Sequence, residues 1–163
     1  MTRHLRPVEA SEFKRACARF ATGVCVASVC DADGTPHGLT VSSFTSVSLA
    51  PPLILICLGH EASVISHFRA ASHFAVNILA EDQRKLSERF ARKGHDRFDG
   101  LSWHPGATGA PLVDGVLATI ECGVHQRFTS GDHDIFVGEV LDTRVRADVR
   151  PLAYYAGHYH SLA

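Results

Sequence analysis

The residues best equipped to handle a ligand lie between Gly38 and Leu58, in GLTVSSFTSVSLAPPLILICL. Thr40, Ser42, Ser43, Thr45, Ser46 and Ser48 are interleaved with Leu39, Val41, Phe44, Val47 and Leu49. Spacing near period two predicts an extended segment with one apolar face and one hydroxyl-lined face. Hydroxyls and backbone N–H groups in such a row can hydrogen-bond a flat polar ligand without placing a charge beside it. An edge strand whose polar side meets water has the same pattern, and on pattern alone that plainer reading is the stronger.

A second constellation is the turn Gly131-Asp132-His133. Glycine and aspartate make the tight backbone, and the histidine is carried to a hairpin tip, where a pocket mouth would lie. An exposed turn histidine with no role has the same sequence. The tail holds Tyr154, Tyr155, His158, Tyr159 and His160, either a terminal plug or one wall of a site. His158 and His160 form an HxH pair, a weak metal signal, and no metal site is expected. The five cysteines form no CxxC pair and read as free thiols, mostly small buried apolar residues. The chain lacks a GxGxxG dinucleotide loop, a GxxxxGK[ST] phosphate loop and a GxSxG nucleophile elbow.

The elements that must position these residues follow from hydrophobic periodicity. Phe13, Ala16, Cys17 and Phe20 mark one face of a helix that Thr22-Gly23 stops. Val24–Val29 and His37–Ser43 read as a hairpin around the turn at Asp31–Pro36, and Pro51-Pro52 must break a ladder or begin the next strand at an edge. Leu53–Leu58 has the near-continuous apolar look of a central strand. Glu61–Arg69 and Glu81–Arg92 read as helices around a strand at His73–Leu79, and Lys93–Pro111 as a packed loop. Leu117–Phe128 and Asp134–Val145 read as a long antiparallel pair. Strands joined by short turns exclude a doubly wound sheet. They predict a mainly β (α+β) fold, an antiparallel barrel of roughly six or seven strands with peripheral helices.

The 163 residues are expected to form one domain, 1–163. Apolar residues make up 45 % and charged residues 20 %, and the net charge of −1 favours neither nucleic acid nor an anionic membrane as partner. The opening MTRHLRPVEASEFKRACARF is charged and no apolar run approaches a membrane span, which predicts a cytoplasmic protein.

Taken in order, these segments resemble the short-chain flavin reductase family, whose fold is the flavin-binding split β-barrel. The matching stretches are FxxACxxFATGVCV (Phe13–Val26), TVSSFTSVSLAPPLILICL (Thr40–Leu58), FAVNIL (Phe74–Leu79), SERFA (Ser87–Ala91), DRFDG (Asp96–Gly100), GDHDIFVGEV (Gly131–Val140) and PLAYYAGHY (Pro151–Tyr159). They cover nearly the whole chain.

The resemblance implies an NAD(P)H:flavin oxidoreductase with FMN or FAD in the barrel groove and NADH or NADPH as co-substrate. Hydride passes between stacked rings, and reduced flavin is often released to a separate monooxygenase component from what is usually a homodimer. Such transfer needs reacting atoms roughly 3–3.5 Å apart more than it needs an acid or base. By the same resemblance Thr40, Val41, Ser42, Ser43 and Ser46 would bind the flavin ring and ribityl chain, with Cys57 lining the groove. Ser63, Ser87 and Arg89 would hold phosphate, and Asn77 and Phe90 would reach the same pocket. His133 would position the nicotinamide, with Tyr154, Tyr155 and Gly157 as the opposite wall. Thr40, Ser42 and Ser46 are expected on one face, Ser43 at a bend, and Phe44 and Val47 toward the core. Three other functions fit the same residues: a flavin- or heme-carrying module, a histidine-rich metal protein using His133, His158 and His160, and a barrel reductase acting on a cobalamin or metal complex.

Overall fold

A computed structural model describes residues 6–94 and 96–162. The first five residues of the charged opening stretch, His95 and Ala163 of the tail lie outside it. In chain order the elements begin with helix α1 (Ala10–Cys17) and strands β1 (Thr22–Gly23), β2 (Cys25–Cys30), β3 (Pro36–Val41), β4 (Thr45–Leu49) and β5 (Pro52–Gly59). Then come α2 (Ile65–Ala70), β6 (His73–Ile78), α3 (Arg84–Ala91), β7 (Trp103–Pro105) and β8 (Pro111–Val113). The long strands β9 (Ala118–Ser130) and β10 (His133–Val145) and the hairpin β11 (Leu152–Tyr155) and β12 (His158–Ser161) complete the fold.

The main sheet has seven antiparallel strands in the order β3-β2-β6-β9-β10-β5-β4. Its edge strands, β3 and β4, are consecutive in the chain and separated only by Ser42–Phe44. That link cannot stretch beyond about 15 Å at 3.8 Å per residue step. A flat sheet of this order would hold its edges apart by six spacings of about 4.8 Å. The sheet must therefore curl until its edges approach, and β3 does reach β5 across the gap. No ladder joins β3 to β4 among the described residues, so the sheet stays open where a closed barrel would be sealed.

One core fills the inside of the curl, with Ile56, Phe68, Phe74, Val76, Cys122 and Phe136 buried together. Each of the large side chains contributes about 1.5–3 kcal/mol by leaving water. A second core, under α3, packs Val26, Leu79, Phe90, Phe98 and Leu152. Gly138 is required here: a Cβ at that position would lie 2.5 Å from Phe74 Cζ and 2.7 Å from Cys122 Cβ. A bulge between Val137 and Gly138 accommodates the approach.

The structure revises several expectations. No residue of α1 is buried, so its Phe13 face is left exposed by the described residues. Val47 is half-exposed and Leu49 is 94 % exposed, so Val47 does not enter the core, whereas Phe44 packs against it. Strand β5 buries only Ile54, Ile56 and Leu58, alternating with half-buried Leu53, Leu55 and Cys57, because its second face lines the open side of the curl. Lys93–Pro111 is not all loop: β7 and β8 form a two-stranded ladder at its far end. Among the described residues no helix is long and apolar enough to cross a membrane.

Candidate functional site

Residues 42–44 cross the opening of the curled sheet, and Ser43 fastens them. Its hydroxyl accepts from Cys57 N at 3.0 Å and donates to Cys57 O at 2.9 Å, occupying both backbone groups of one β5 residue. Thr40, at the end of β3, donates its hydroxyl to Ser87 O of α3 at 2.6 Å. Ser42 and Ser46 are exposed on the adjoining surface, with their hydroxyls open to a ligand. Burial pushes the Cys57 thiol above its ordinary value, and the buried Cys25 and Cys122 thiols are pushed up to about 12. None of these three is poised as a thiolate nucleophile.

At the opposite end of β3 from this crossing lies a cavity of about 680 Å³, lined by Gly38, His37, Ser63, His67, Arg97 and Trp103 among others, with Asp96 and Asp99 also on its wall. Arg97 dominates it. The guanidinium donates to Gly38 O at 2.5 Å, to Ser63 Oγ at 3.2 Å and to Arg92 O at 3.0 Å. No carboxylate lies within ion-pair distance of it among the described residues. Burial pulls its ionisation below the ordinary value, the expected cost of a cation held without a counter-charge. A cation, a hydroxyl and a concave wall together suit an anionic oxygen, above all a phosphate.

The Arg97 loop is itself clasped. Arg89 donates to the carbonyls of Asp96 (3.2 Å) and Asp99, so its guanidinium holds the loop. Ser87 is buried, and its hydroxyl meets Tyr159 Oη at 2.9 Å. Phe90 is buried edge-on to Phe98 in the second core. Gly38 opposite must lack a side chain, since a Cβ there would lie 2.9 Å from Ala27 O and 3.0 Å from the Phe90 ring.

At the other end of β5 the ladder pairs His133 with Gly59, and Ile135 with Cys57 two positions further on. The His133 ring lies over Gly59, with Nε2 placed 3.5 Å from where a Cβ would be. Its Nδ1 lies 2.7 Å from Asp132 Oδ1. The turn is anchored from below by Asp134, buried and bonded to Arg69 (2.7 Å), His60 (3.0 Å) and Thr129 (2.9 Å). The Arg69 hydrogen bond leads, and those of Thr129 and His60 add to it. They hold the Asp134 carboxyl well below the usual carboxylate range against the opposing effect of burial.

The structure thus brings Ser42, Ser43, Ser46 and Cys57 to the opening, with Thr40 turned to α3 and Val41 buried in the core; Ser63 lies apart in the Arg97 cavity, and His133 further along the β5–β10 pair. It does not bring in Asn77. That side chain is buried, donates to Val26 O (3.1 Å) and Ser28 Oγ (3.0 Å), and accepts from Val113 N (2.8 Å). Asn77 ties β8 to the main sheet, and no polar atom of it is left for a ligand. Tyr154, Tyr155 and Gly157 belong to a separate three-stranded sheet, β1-β11-β12. Tyr154 packs on Tyr159 at 5.2 Å between ring centroids, and Gly157 makes the hairpin turn at φ +85°. Among the described residues no hydrogen bond, ion pair or ring contact joins them to His133 within the chain.

Two features escaped the sequence reading. Arg97 sits inside the DRFDG stretch, where acids at positions 96 and 99 make it look like ordinary surface charge. Asp31, His37 and His67 meet at one point although His67 lies 36 residues beyond Asp31 in the chain. His133, His158 and His160, the set of the alternative metal-protein reading, form no such group among the described residues.

The family described as "Flavin reductase like domain" matches residues 17–163. The chain belongs to that family. It is 42 % identical to the actinorhodin polyketide dimerase of Streptomyces coelicolor over 90 % of this chain and 83 % of that protein. It is 43 % identical to the reductase component of the flavin-dependent trigonelline monooxygenase of Acinetobacter baylyi, over 93 % of this chain but 49 % of that longer protein. The NADH:FAD oxidoreductase of Streptomyces globisporus, solved with NAD and FAD fragments, superposes with a TM-score of 0.89 at 36 % identity, each chain 98 % covered.

Proposed function

We propose that this chain is an NADH-dependent flavin reductase that holds FMN or FAD at the opening of its curled sheet. The observation that carries the reading is Arg97, a partly buried cation beside the Ser63 hydroxyl with no carboxylate partner among the described residues. The donor set fits a flavin phosphate. Ser42, Ser46 and the backbone around Ser43 offer neutral donors to the ring and ribityl chain, and Cys57 lines the floor. Flavin, when bound, supplies the ring that accepts hydride. The protein's part is to fix orientation and exclude water. His133, braced by Asp132 and seated over Gly59, positions the nicotinamide without transferring a proton.

The curled sheet supports a split β-barrel, open where residues 42–44 cross. Exposed apolar residues of α1 and β4 support a homodimer. A separate monooxygenase is the proposed consumer of reduced flavin, as the name of the Acinetobacter relative says of that protein. Five free thiols suit a cytoplasmic, reducing compartment. The deciding experiment mixes the purified protein with NADH and free FMN or FAD and follows absorbance at 340 nm. Flavin-dependent oxidation well above the protein-free rate is expected; a rate equal to the protein-free control with both flavins would refute the reading.

A further inference from the structure

Asp31, His37 and His67 come from three different elements: the β2–β3 turn, strand β3 and helix α2. Asp31 Oδ2 lies 2.6 Å from His37 Nε2, and Asp31 Oδ1 lies 2.6 Å from His67 Nδ1. The two imidazoles stack with centroids 3.6 Å apart and planes 9° from parallel, so their inward nitrogens face one carboxylate. All the potential ligand atoms lie within 4.8 Å of one another. We propose that Asp31, His37 and His67 form a binding site for one divalent transition-metal ion of the zinc class.

The donor chemistry is that of such a site. Two imidazole nitrogens and one carboxylate suit zinc, cobalt and nickel far better than the hard cations calcium and magnesium, which take oxygen ligands. Three protein ligands leave one position of a four-coordinate ion for water.

The site is built before any ion arrives. Asp31 is fixed by its own turn, where its N–H donates to Thr35 O at 2.9 Å and its carbonyl accepts from Gly34 N at 3.0 Å. His37 is set by the β2–β3 ladder, in register with Val29. His67 is set by α2, whose Ile65 and Phe68 are buried.

A carboxylate only accepts, so in the metal-free chain each inward ring nitrogen carries the bonding proton. On metal binding that proton moves to the far nitrogen of the neutral ring, and the lone pair turns to the ion. Ligand atoms around a tetrahedral ion at about 2.1 Å stand about 3.4 Å apart, so each short N···O contact opens by less than about 1 Å. The in-plane lone pairs of two parallel rings do not converge, so the His37 and His67 rings must also tilt out of their stack to share the ion. The ion would pin the β2–β3 turn to α2 and so stiffen the wall that His37 and His67 give the 680 Å³ cavity.

The test uses the full-length protein after chelator treatment and dialysis. Zn²⁺ alone is titrated calorimetrically at pH 7, and Co²⁺ is titrated in parallel for its visible absorption. Expected are one ion per chain at micromolar affinity or tighter, a Co²⁺ spectrum of four-coordinate intensity, and a rise in melting temperature with Zn²⁺. His67→Ala should weaken binding at least a hundredfold and abolish that rise, while the double variant His158→Ala/His160→Ala should bind as the parent does. Asp31→Asn, which keeps size and turn geometry, gives a second route to the same loss if His67→Ala folds poorly. No stoichiometric binding by the parent protein would overturn the proposal. So would undiminished binding by His67→Ala or Asp31→Asn, which would place the ion elsewhere. All readouts are independent of flavin and NADH.

Discussion

Arg97 Nη2 lies 3.2 Å from Ser63 Oγ, and the same guanidinium reaches Gly38 O at 2.5 Å, so one side chain bridges β3 and the segment before α2. No carboxylate partners this cation among the described residues, and a flavin phosphate would supply the missing charge. Charge-assisted hydrogen bonds contribute about 1.5–3 kcal/mol, which corresponds to about a tenfold to hundredfold change in affinity. Arg97→Gln is expected to weaken flavin binding by that factor, read from quenching of flavin fluorescence, and to flatten its salt dependence. Arg97→Lys, with charge but no planar fork, should fall between. A dissociation constant within twofold of the parent for both variants would move the phosphate site elsewhere.

His133 tests the division of labour. Its Nδ1 is engaged by Asp132 and its ring rests over Gly59, an arrangement that fixes a plane and offers no relay to a buried base. A positioning role predicts that His133→Ala raises the Michaelis constant for NADH about tenfold or more while the limiting rate stays within about threefold. Steady-state kinetics with varied NADH decide it. A limiting rate that collapses with an unchanged Michaelis constant would make His133 a participant in the chemical step.

Much of this arrangement was legible in the sequence because it is local. The alternation of β9, the turn after it and the apolar run of β5 are local patterns, and the structure places strands there within a few residues, although β5 alternates where a continuous apolar run is read. The alternation at Thr40–Ser46 predicts one continuous extended segment, whereas the structure breaks it into β3 and β4 around Ser42–Phe44 and turns Thr40 to α3. Local pattern does not show that three residues connect the two edges of a seven-stranded sheet, since sheet order is set by long-range pairing. Asn77 misled for a related reason. A polar residue in a strand reads as reaching a pocket, whereas here it satisfies the backbone of β8, a short strand with no pattern of its own in the sequence. Arg97 is hidden in the sequence by flanking acids, Asp96 and Asp99, which share its cavity but form no ion pair with it. The apolar face of α1 was correctly drawn, but sequence alone does not say whether the chain itself covers it.

Acid should act through two buried carboxylates. Asp134 is held well below the ordinary range by Arg69, Thr129 and His60. At Glu121 burial pushes upward, but hydrogen bonds from Thr108 and Ala107 outweigh it and leave the group lowered. A folded-state ionisation below that of the unfolded chain stabilises the fold above the unfolded value. That stabilisation drains away as pH falls through the folded one. Urea midpoints should therefore be nearly flat above about pH 5 and fall steeply below about pH 4, where unfolded carboxyls begin to bind protons. Asp134→Asn should lower the midpoint at pH 7, because Arg69 loses its charged partner, and should make the acid slope shallower. An unchanged slope in the variant would show that Asp134 does not carry the acid sensitivity.

Large apolar side chains stand exposed on α1, on the turn after it and on β4. Phe13 is 59 % exposed, Phe20 77 % and Leu49 94 %, on a chain whose other large apolar residues are mostly packed. An amphipathic helix whose apolar face meets no other element is normally buried against something, since clustered exposed aromatics favour association. A second copy of the chain is the partner we propose. Light scattering should give twice the 17.6 kDa chain mass at micromolar concentration. Placing a charge in either patch, Phe20→Asp or Leu49→Asp, should weaken self-association at least tenfold and make the melting temperature of the variant depend more steeply on concentration. Far-ultraviolet circular dichroism separates this from loss of fold. A parent protein that runs at the single-chain mass across that concentration range would leave both patches to a different partner.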